Sequence, residues 1–329
     1  MERLFKKLTQ MSAGLLFVIL AATTIVLYLS AKPAIEQFGV NFLFESRWGV
    51  EEKQAVPASA LDVENLEARS SDESFIEEDE DFIDDDEDFV TDDDFESDEG
   101  SSNIVYGALV PIVGTIFSTL IAMLFSIPIA MGIAVFLAEI AHGSIAKPIG
   151  IAIELLASIP SIIYGMWGLF YFGPFIANIF GGNTVSLLVA GLVLGVMVIP
   201  FMAALSRDAI STVPEMLKES AYAMGATKLE VIKDVVFPYA KSGIIGSVIL
   251  SFGRAMGETM AVAFVIGGVY QFVGSVTDPT NSIPVVLANS FAESSGLSLS
   301  VLFYLALILF VMSFLVIAIA KHYFLRRKK

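Results

Sequence analysis

An arginine and a glutamate four residues apart stand inside the apolar run 244–269, and they are the first candidates for chemistry. At this spacing Arg254 and Glu258 would share one face of a helix. The run is long enough to cross a bilayer, which takes about 20 helical residues, and Arg254 falls near its middle. A charge at that depth costs about 2.5 kcal/mol or more. Two interpretations stay open: a structural ion pair that locks two helices, or a polar site for an oxyanion on a solute pathway.

The composition points to a membrane protein whose acidic residues are concentrated in one segment. The chain has 329 residues, of which 55% are hydrophobic, and a mean hydropathy of +0.74. These values are typical of a polytopic membrane protein rather than a soluble domain. Residues 51–100 hold 23 of the Asp and Glu residues but only 2 of the Lys and Arg residues. The rest of the chain is therefore mildly basic.

The residue types that most often form metal or catalytic sites are scarce. The chain has no cysteine, so disulfides and thiolate metal sites are excluded. Its two histidines, His142 and His322, lack the spacing of a zinc site. The acidic run also lacks the loop pattern of a calcium-binding EF-hand. We therefore expect no metal site, no catalytic residues and no nucleic-acid partner.

Apolar runs predict an all-α polytopic protein with six transmembrane helices. One of these runs is interrupted by Pro160, which leaves a backbone carbonyl one turn earlier without its helical partner. Ser158 or Ser161 can satisfy that carbonyl, and both serines are candidates for lining a solute pathway. The predicted helices span residues 11–29, 105–137, 149–172, 184–205, 243–270 and 301–320.

The distribution of Lys and Arg predicts that both termini face the cytoplasm. With six spans, the side that carries the termini holds fourteen of these residues and the opposite side holds four. We therefore expect a multi-pass protein of the cytoplasmic membrane. Three parts follow: residues 1–50 with the first helix and an interfacial segment, an acidic extracytoplasmic insertion at 51–103, and a core of five helices at 104–329. Like-charge repulsion predicts that the insertion is disordered.

The loop at 206–242 has the pattern of two short helices joined by a glycine hinge. Pro214 favours the start of the first helix, and Gly225 suits a helix end in the left-handed region. Thr227 and Glu230 predict a capping box at the start of the second helix, which Pro238 is expected to end. A plain structural connection between two membrane helices stays open as the less favoured alternative.

This loop resembles the coupling loop of ABC importer permeases, which carries an EAA, glycine and proline pattern. In that family a short helix of the loop docks in a cleft of the cytoplasmic ATPase. The first alanine of the pattern is replaced by serine here, a mild departure. The resemblance implies that the ATPase-coupling residues are Glu219, Ser220, Ala221, Ala223, Gly225 and Pro238.

A narrower resemblance is to phosphate permeases of PstC type. Residues 252–259 resemble the fifth-helix signature of that family, and residues 106–115, 156–165 and 198–200 match it too. The resemblance implies a type I ABC importer permease fold, inorganic phosphate as substrate and a role in transport for Arg254 and Glu258. It also implies three partners: a second permease subunit of PstA type, an ATPase subunit dimer and an extracytoplasmic phosphate-binding protein.

The sequence has no glycine-rich phosphate-binding loop of the Gly-x-x-x-x-Gly-Lys-Ser/Thr type. We therefore expect a transport subunit that is not an enzyme, has no cofactor of its own and relies on a partner to bind and hydrolyse ATP. Three alternatives stay open. One is an ABC permease for sulfate or molybdate, the second is an ATP-independent secondary transporter or channel, and the third is a receptor-like protein whose acidic segment recruits a partner.

Overall fold

The computed structural model describes residues 2–51 and 104–325, and it describes side chains at 5–49 and 104–322. The acidic insertion predicted at 51–103 lies outside the described residues except for Glu51, so its disorder stays a prediction. By internal contacts, residues 49–105 form one unit, and residues 1–48 together with 106–329 form the other. Two short paired strands are described, β1 (Trp48–Glu51) and β2 (Ile104–Tyr106), and their residues 49–51 and 104–105 are the described residues of the smaller unit.

Helices form nearly all of the described structure. Four short 3-10 or π-helical turns adjoin the α-helices. They are Gly39–Leu43, Phe136–Ile140, Gly168–Phe172 and Val231–Val236. The α-helices are α1 (Glu2–Phe38), α2 (Leu109–Val135), α3 (Gly143–Ala157), α4 (Ser161–Trp167), α5 (Gly173–Phe180), α6 (Leu187–Ser211), α7 (Glu215–Ala223), α8 (Lys228–Glu230), α9 (Phe237–Met256), α10 (Met260–Ala263), α11 (Ile283–Ser290) and α12 (Gly296–Leu325).

Within the described residues, six helical segments are long and apolar enough to cross a membrane. This number confirms the predicted six-helix polytopic protein, although the bounds of every span differ from the prediction, most of all those of the first, third and fifth. The segments are Phe5–Leu43, Leu109–Ile140, Ser161–Phe180, Leu187–Ser211, Lys228–Met256 and Gly296–His322.

The third span was predicted at 149–172, and it begins and ends later. Helix α3 stops at Ala157, and the spanning segment starts at Ser161. The cause is Pro160, which has no N–H to donate and disfavours helical conformation in the residue before it. The expected turn after 172 is helical as far as Phe180, because Pro174 lies in the first turn of α5, where a backbone N–H has no helical partner.

The fifth span was predicted at 243–270, and it is displaced in the opposite direction. It runs from Lys228 to Met256, so the prediction that Pro238 ends a short helix is wrong. A π-helical turn at Val231–Val236 leads directly into α9, and Pro238 lies in the first turn of that helix. The wider turn accommodates the missing N–H of the proline, so the helix continues past it.

Helix α6 is the centre of the fold, and it packs against α2, α3 and α9. Glycines bring α6 and α2 close together. A Cβ atom at Gly191 would lie 2.7 Å from the Ile121 side chain, and one at Gly195 would lie 3.0 Å from the Phe125 ring. Small residues at such positions let helices in a membrane approach closely. Helices α2 and α6 therefore form a tightly packed pair around which the other spans are arranged.

Candidate functional site

Arg254 lies in the last turn of α9, two residues before the helix ends at Met256. The sequence predicted that Arg254 lies near the middle of a membrane helix, and that prediction is wrong. Its side chain is exposed, and its guanidinium carbon lies 5.1 Å from the centroid of the Phe201 ring on α6. The negative end of the helix dipole and the face of the aromatic ring both favour a cation at this place.

Glu258 lies beyond the end of α9, so it does not share a helical face with Arg254. Its Oε1 atom accepts a hydrogen bond from the backbone N–H of Ala261 at 3.2 Å, in the first turn of α10. Backbone N–H groups at a helix start have no helical partner, and this carboxylate supplies one. Within residues 5–49 and 104–322, no ion pair joins Arg254 to Glu258. The expected pairing is therefore wrong for this chain alone.

The prediction that Ser158 or Ser161 satisfies the carbonyl freed by Pro160 is wrong. The carbonyl left without its helical partner belongs to Leu156, and the Tyr164 hydroxyl donates to it at 2.9 Å. The hydroxyl of Ser158 donates to the preceding carbonyl, that of Leu155, at 2.7 Å. Ser161 is the first residue of α4 and is half-buried. Tyr164 was missed, and the only signal in the sequence is its position four residues after the proline.

The two helix interruptions, before α4 and before α10, lie side by side. A Cβ atom at Gly165 on α4 would lie 3.0 Å from the Cα atom of Ala261 and 2.9 Å from the ring of Phe264. Interrupted helices at membrane depth are tolerated where they are buried in protein or line a polar cavity. An exposed guanidinium beside them can attract an anion.

The short helices predicted for the loop at 206–242 are present, although the second runs on into α9. Pro214 precedes the first residue of α7, and Gly225 has φ +89, as expected for a helix end in the left-handed region. The predicted capping box is confirmed: the Thr227 N–H donates to Glu230 Oε2 at 2.7 Å, and the Glu230 N–H donates to Thr227 Oγ1 at 3.4 Å.

Most of the predicted coupling residues form an exposed surface on α7 and its hinge. Glu219, Ser220, Ala223 and Gly225 are exposed, whereas Ala221 is buried against the rest of the chain. Pro238 lies apart from them in α9. Three large apolar side chains on the same segment are also exposed, and such a patch with polar neighbours is typical of a protein interface. They are Met216 at 72%, Met224 at 84% and Leu229 at 74%.

A buried ion pair anchors the opposite face of α7. The Lys218 Nζ atom lies 2.7 Å from Glu139 Oε1 and 3.2 Å from Glu215 Oε1. The side chains of Lys218 and Glu139 are only 8% and 7% exposed, whereas that of Glu215 is 78% exposed. Burial lowers the pKa of Lys218, but the two neighbouring carboxylates outweigh burial and raise it. Sequence reasoning missed this pair, because the two residues are far apart in the sequence and only the packing of the chain brings them together.

Comparison with known proteins places the chain in a family. A family model described as "Binding-protein-dependent transport system inner membrane component" matches residues 104–328. This chain belongs to that permease family. The permease is 38% identical over 340 residues to "Phosphate transport system permease protein PstC" of Haemophilus influenzae, covering 97% of this chain and 92% of the relative. It is 47% identical over 241 residues to the protein of the same name from Xylella fastidiosa strain Temecula1, covering 67% and 74%. The predicted PstC resemblance is thus confirmed.

Solved structures confirm the predicted ABC importer permease fold. The permease matches an inward-facing MetNI methionine ABC transporter with a TM-score of 0.53 and 20% identity, covering 64% of this chain and 92% of that one. It matches a bacterial ABC transporter for the import of alginate with a TM-score of 0.53 and 14% identity, covering 67% and 79%. At these identities the matches show the fold alone. With six spanning helices, the permease is a multi-pass membrane protein.

Proposed function

We propose that the permease is the membrane-spanning subunit of an ABC importer for inorganic phosphate, driven by ATP hydrolysis in a partner ATPase. The observation that carries this proposal is the identity of 38–47% to several PstC phosphate permeases. The family description, a component of binding-protein-dependent systems, supports a binding protein that delivers the substrate. The permease itself performs no hydrolysis and holds no cofactor.

The environment of Arg254 supports an anionic substrate. Phe201 has no hydrogen-bond acceptor, so its contact with the guanidinium leaves the N–H donors of Arg254 available. A planar fork of donors matches two oxygens of a phosphate group. Because the side chain is exposed in this chain, it faces a surface that the assembled importer covers or fills with water. We place the phosphate pathway along this surface, with Ser158 and Ser161 on its wall.

Glu258 gives a physical reason for selecting phosphate over sulfate. Its Oε1 atom is occupied by the N–H of Ala261, and its second oxygen can accept a hydrogen bond from a substrate hydroxyl. Phosphate near neutral pH still carries a hydroxyl proton, whereas sulfate is fully ionised and has none to donate. A carboxylate near the arginine also limits how tightly the anion is held, which favours release.

The remaining parts of the proposal concern the assembly. The exposed surface of α7 with Glu219, Ser220 and Ala223 supports docking to an ATPase, and Gly225 supplies the hinge. The chain would pair with a second permease of PstA type over two ATPase copies and under a phosphate-binding protein. The excess of Lys and Arg on one side of the six spans supports a cytoplasmic position for both termini.

The proposal is tested by expressing the permease with its partner subunits in bacteria that lack their own PstC-type permease. Uptake of labelled phosphate at micromolar concentration should be restored, and it should resist competition by excess sulfate or molybdate. The matched control is Arg254→Gln, checked for membrane level and ATPase co-purification. Restored sulfate or molybdate uptake without phosphate uptake would overturn the substrate, and phosphate uptake that persists without the ATPase would overturn the mechanism.

A further inference from the structure

We propose that the buried pair of Lys218 and Glu139 is the mechanical tie through which the docking helix α7 moves α2. The pair positions α7 and does not contact substrate. This inference rests on the proposed function, since it concerns how ATPase motion reaches the membrane helices. It predicts that loss of the pair separates ATP hydrolysis from phosphate import.

The position of the two residues makes the tie possible. Lys218 lies in the middle of α7, and Glu139 lies in the π-helical turn Phe136–Ile140 that ends the second span. Their charged atoms are 2.7 Å apart, and both side chains are more than nine-tenths buried. Separating them would leave the buried carboxylate of Glu139 without its cation, which is strongly unfavourable. Helix α7 therefore cannot move away from the end of α2 while the pair stays intact.

The apolar side chains around the pair hold α7 in contact with the end of α2 but do not prevent the two helices from sliding past each other. Ala221 on α7 is buried in one cluster with Ala134 of α2, Val213 and Val231. Such contacts between small and β-branched side chains are non-directional, so they allow the helices to slide. Two buried opposite charges attract each other strongly, and any movement that lengthens their separation is opposed. The ion pair therefore adds a restraint on the distance between the two helices that the apolar contacts lack.

A continuous path of packed elements leads from this tie to the candidate site. Helix α2 packs tightly on α6 at Gly191 and Gly195. Helix α6 in turn carries Phe201, whose ring contacts Arg254. A displacement of α7 that moves the end of α2 is therefore transmitted to the helix that holds the arginine. Coupling of this kind needs a contiguous network of packed side chains and rigid elements.

Glu215 provides a matched control within the same cluster. It also contacts the Lys218 ammonium, at 3.2 Å, but its side chain is 78% exposed and belongs to α7 itself. Exposed ion pairs contribute little, and a bond within one helix cannot tie it to another. Glu139→Gln and Glu215→Gln are the same chemical change on two partners of one lysine, and only the first removes the tie.

The experiment measures ATP hydrolysed per phosphate imported by the assembled importer in proteoliposomes. In Glu139→Gln and Lys218→Met this ratio should rise by roughly threefold or more, while Glu215→Gln keeps the ratio of the unchanged importer. A merely structural role would lower hydrolysis and import together, in proportion to the amount of assembled complex. If the single variants do not assemble, the same ratio is measured in the double variant Lys218→Met, Glu139→Leu, because apolar replacement of a buried pair often preserves folding. The ratio should rise in this variant too. An unchanged ratio in assembled variants would overturn the inference.

A covalent tether provides the reciprocal test, because the chain has no cysteine of its own. In the variant that combines Lys218→Cys with Glu139→Cys, the number of ATP molecules hydrolysed per phosphate imported should rise. A short bifunctional thiol reagent that joins the two cysteines should return this ratio to that of the unchanged importer. Either single cysteine with the same reagent should stay uncoupled. A tethered complex that stays uncoupled would contradict the proposal. If the unchanged importer itself moves no phosphate, the proposed function has failed instead, so the two failures are distinguishable.

Discussion

The guanidinium carbon of Arg254 lies 5.1 Å from the centroid of the Phe201 ring, and this contact joins the end of α9 to the middle of α6. In the described part of the chain, no carboxylate lies within ion-pairing distance of the arginine. Its charge is thus positioned by an aromatic ring and a helix end. That arrangement leaves the cation ready for an anion from outside the chain, which is the basis of the first prediction.

Replacing Arg254 should abolish or strongly reduce phosphate import. Arg254→Gln removes charge-assisted hydrogen bonds worth about 1.5–3 kcal/mol, so the uptake rate should fall roughly tenfold to more than a hundredfold. Arg254→Lys keeps the positive charge but loses the planar fork of N–H donors, so its rate of phosphate uptake should be intermediate. The measurement is initial uptake of labelled phosphate at matched membrane levels. Normal uptake in Arg254→Gln would exclude the arginine from the pathway.

Two substitutions of Glu258 should separate its charge from its role at the start of α10. Glu258→Gln keeps an oxygen for the N–H of Ala261 but removes the negative charge near Arg254. We expect normal assembly and a lower maximum rate of uptake, because the anion is released more slowly. Glu258→Ala also removes the cap, which costs about 1 kcal/mol, so its thermal stability should fall as well. Unchanged uptake kinetics in Glu258→Gln would argue against a role for the charge.

The hinge at Gly225 should tolerate only residues that accept a left-handed conformation. Its φ of +89 is unfavourable for any residue with a Cβ atom, and most of all for a β-branched one. Gly225→Val should reorient α7 and lower phosphate import without lowering membrane insertion. Gly225→Asn should retain most of the import, because asparagine is a common alternative at such helix ends. Gly246→Ala is the control, since a Cβ atom there meets nothing within 4 Å. Equal phosphate import in all three variants would show that the conformation of Gly225 is not needed for transport.

Crosslinking from α7 should identify the docking surface for the ATPase. Ala223 is exposed and Ala221 is buried, although they lie two residues apart on the same helix. In this cysteine-free chain, Ala223→Cys should crosslink to cysteines introduced in the ATPase cleft, and Ala221→Cys should not. The readout is the appearance of a combined band on a non-reducing gel. Absence of any crosslink from the exposed positions of α7 would place the ATPase elsewhere.

Deleting residues 60–100 should leave phosphate import intact. The prediction rests on the like-charge block in the sequence and on its position before the family match at 104–328. Uptake is compared between the full chain and the deletion at equal membrane levels. Loss of import in a well-assembled deletion variant would give this segment a necessary function. It would also revive the interpretation of the acidic segment as a recruiting element.

Much of the fold could be predicted, because the signals behind it are local or compositional. Six apolar runs are enough to predict six spanning helices without any knowledge of packing. The hinge at Gly225 and the capping box of Thr227 and Glu230 depend on neighbouring residues alone, and the structure has both. The interruption at Pro160 is likewise predicted from a single residue, because proline disfavours helical conformation in the residue before it.

The candidate site was less predictable, because its geometry depends on where helices end and on contacts between distant segments. The apolar run continues well past Met256, so hydropathy has no signal for the end of α9 there. Arg254 and Glu258 consequently lie on different segments despite their helical spacing. Lys218 and Glu139 are far apart in the sequence, and only the packing of α7 on the end of α2 brings them together. The contact of Arg254 with Phe201 has the same origin.

The most direct test of the account is transport by the purified importer in sealed proteoliposomes. The permease is reconstituted with its PstA-type partner, the ATPase and the phosphate-binding protein, with ATP supplied on the ATPase side. Labelled phosphate should accumulate only when ATP and the binding protein are both present, and sulfate or molybdate should not accumulate. Phosphate that equilibrates without ATP, or an ATP-driven import of sulfate or molybdate in place of phosphate, would contradict the account.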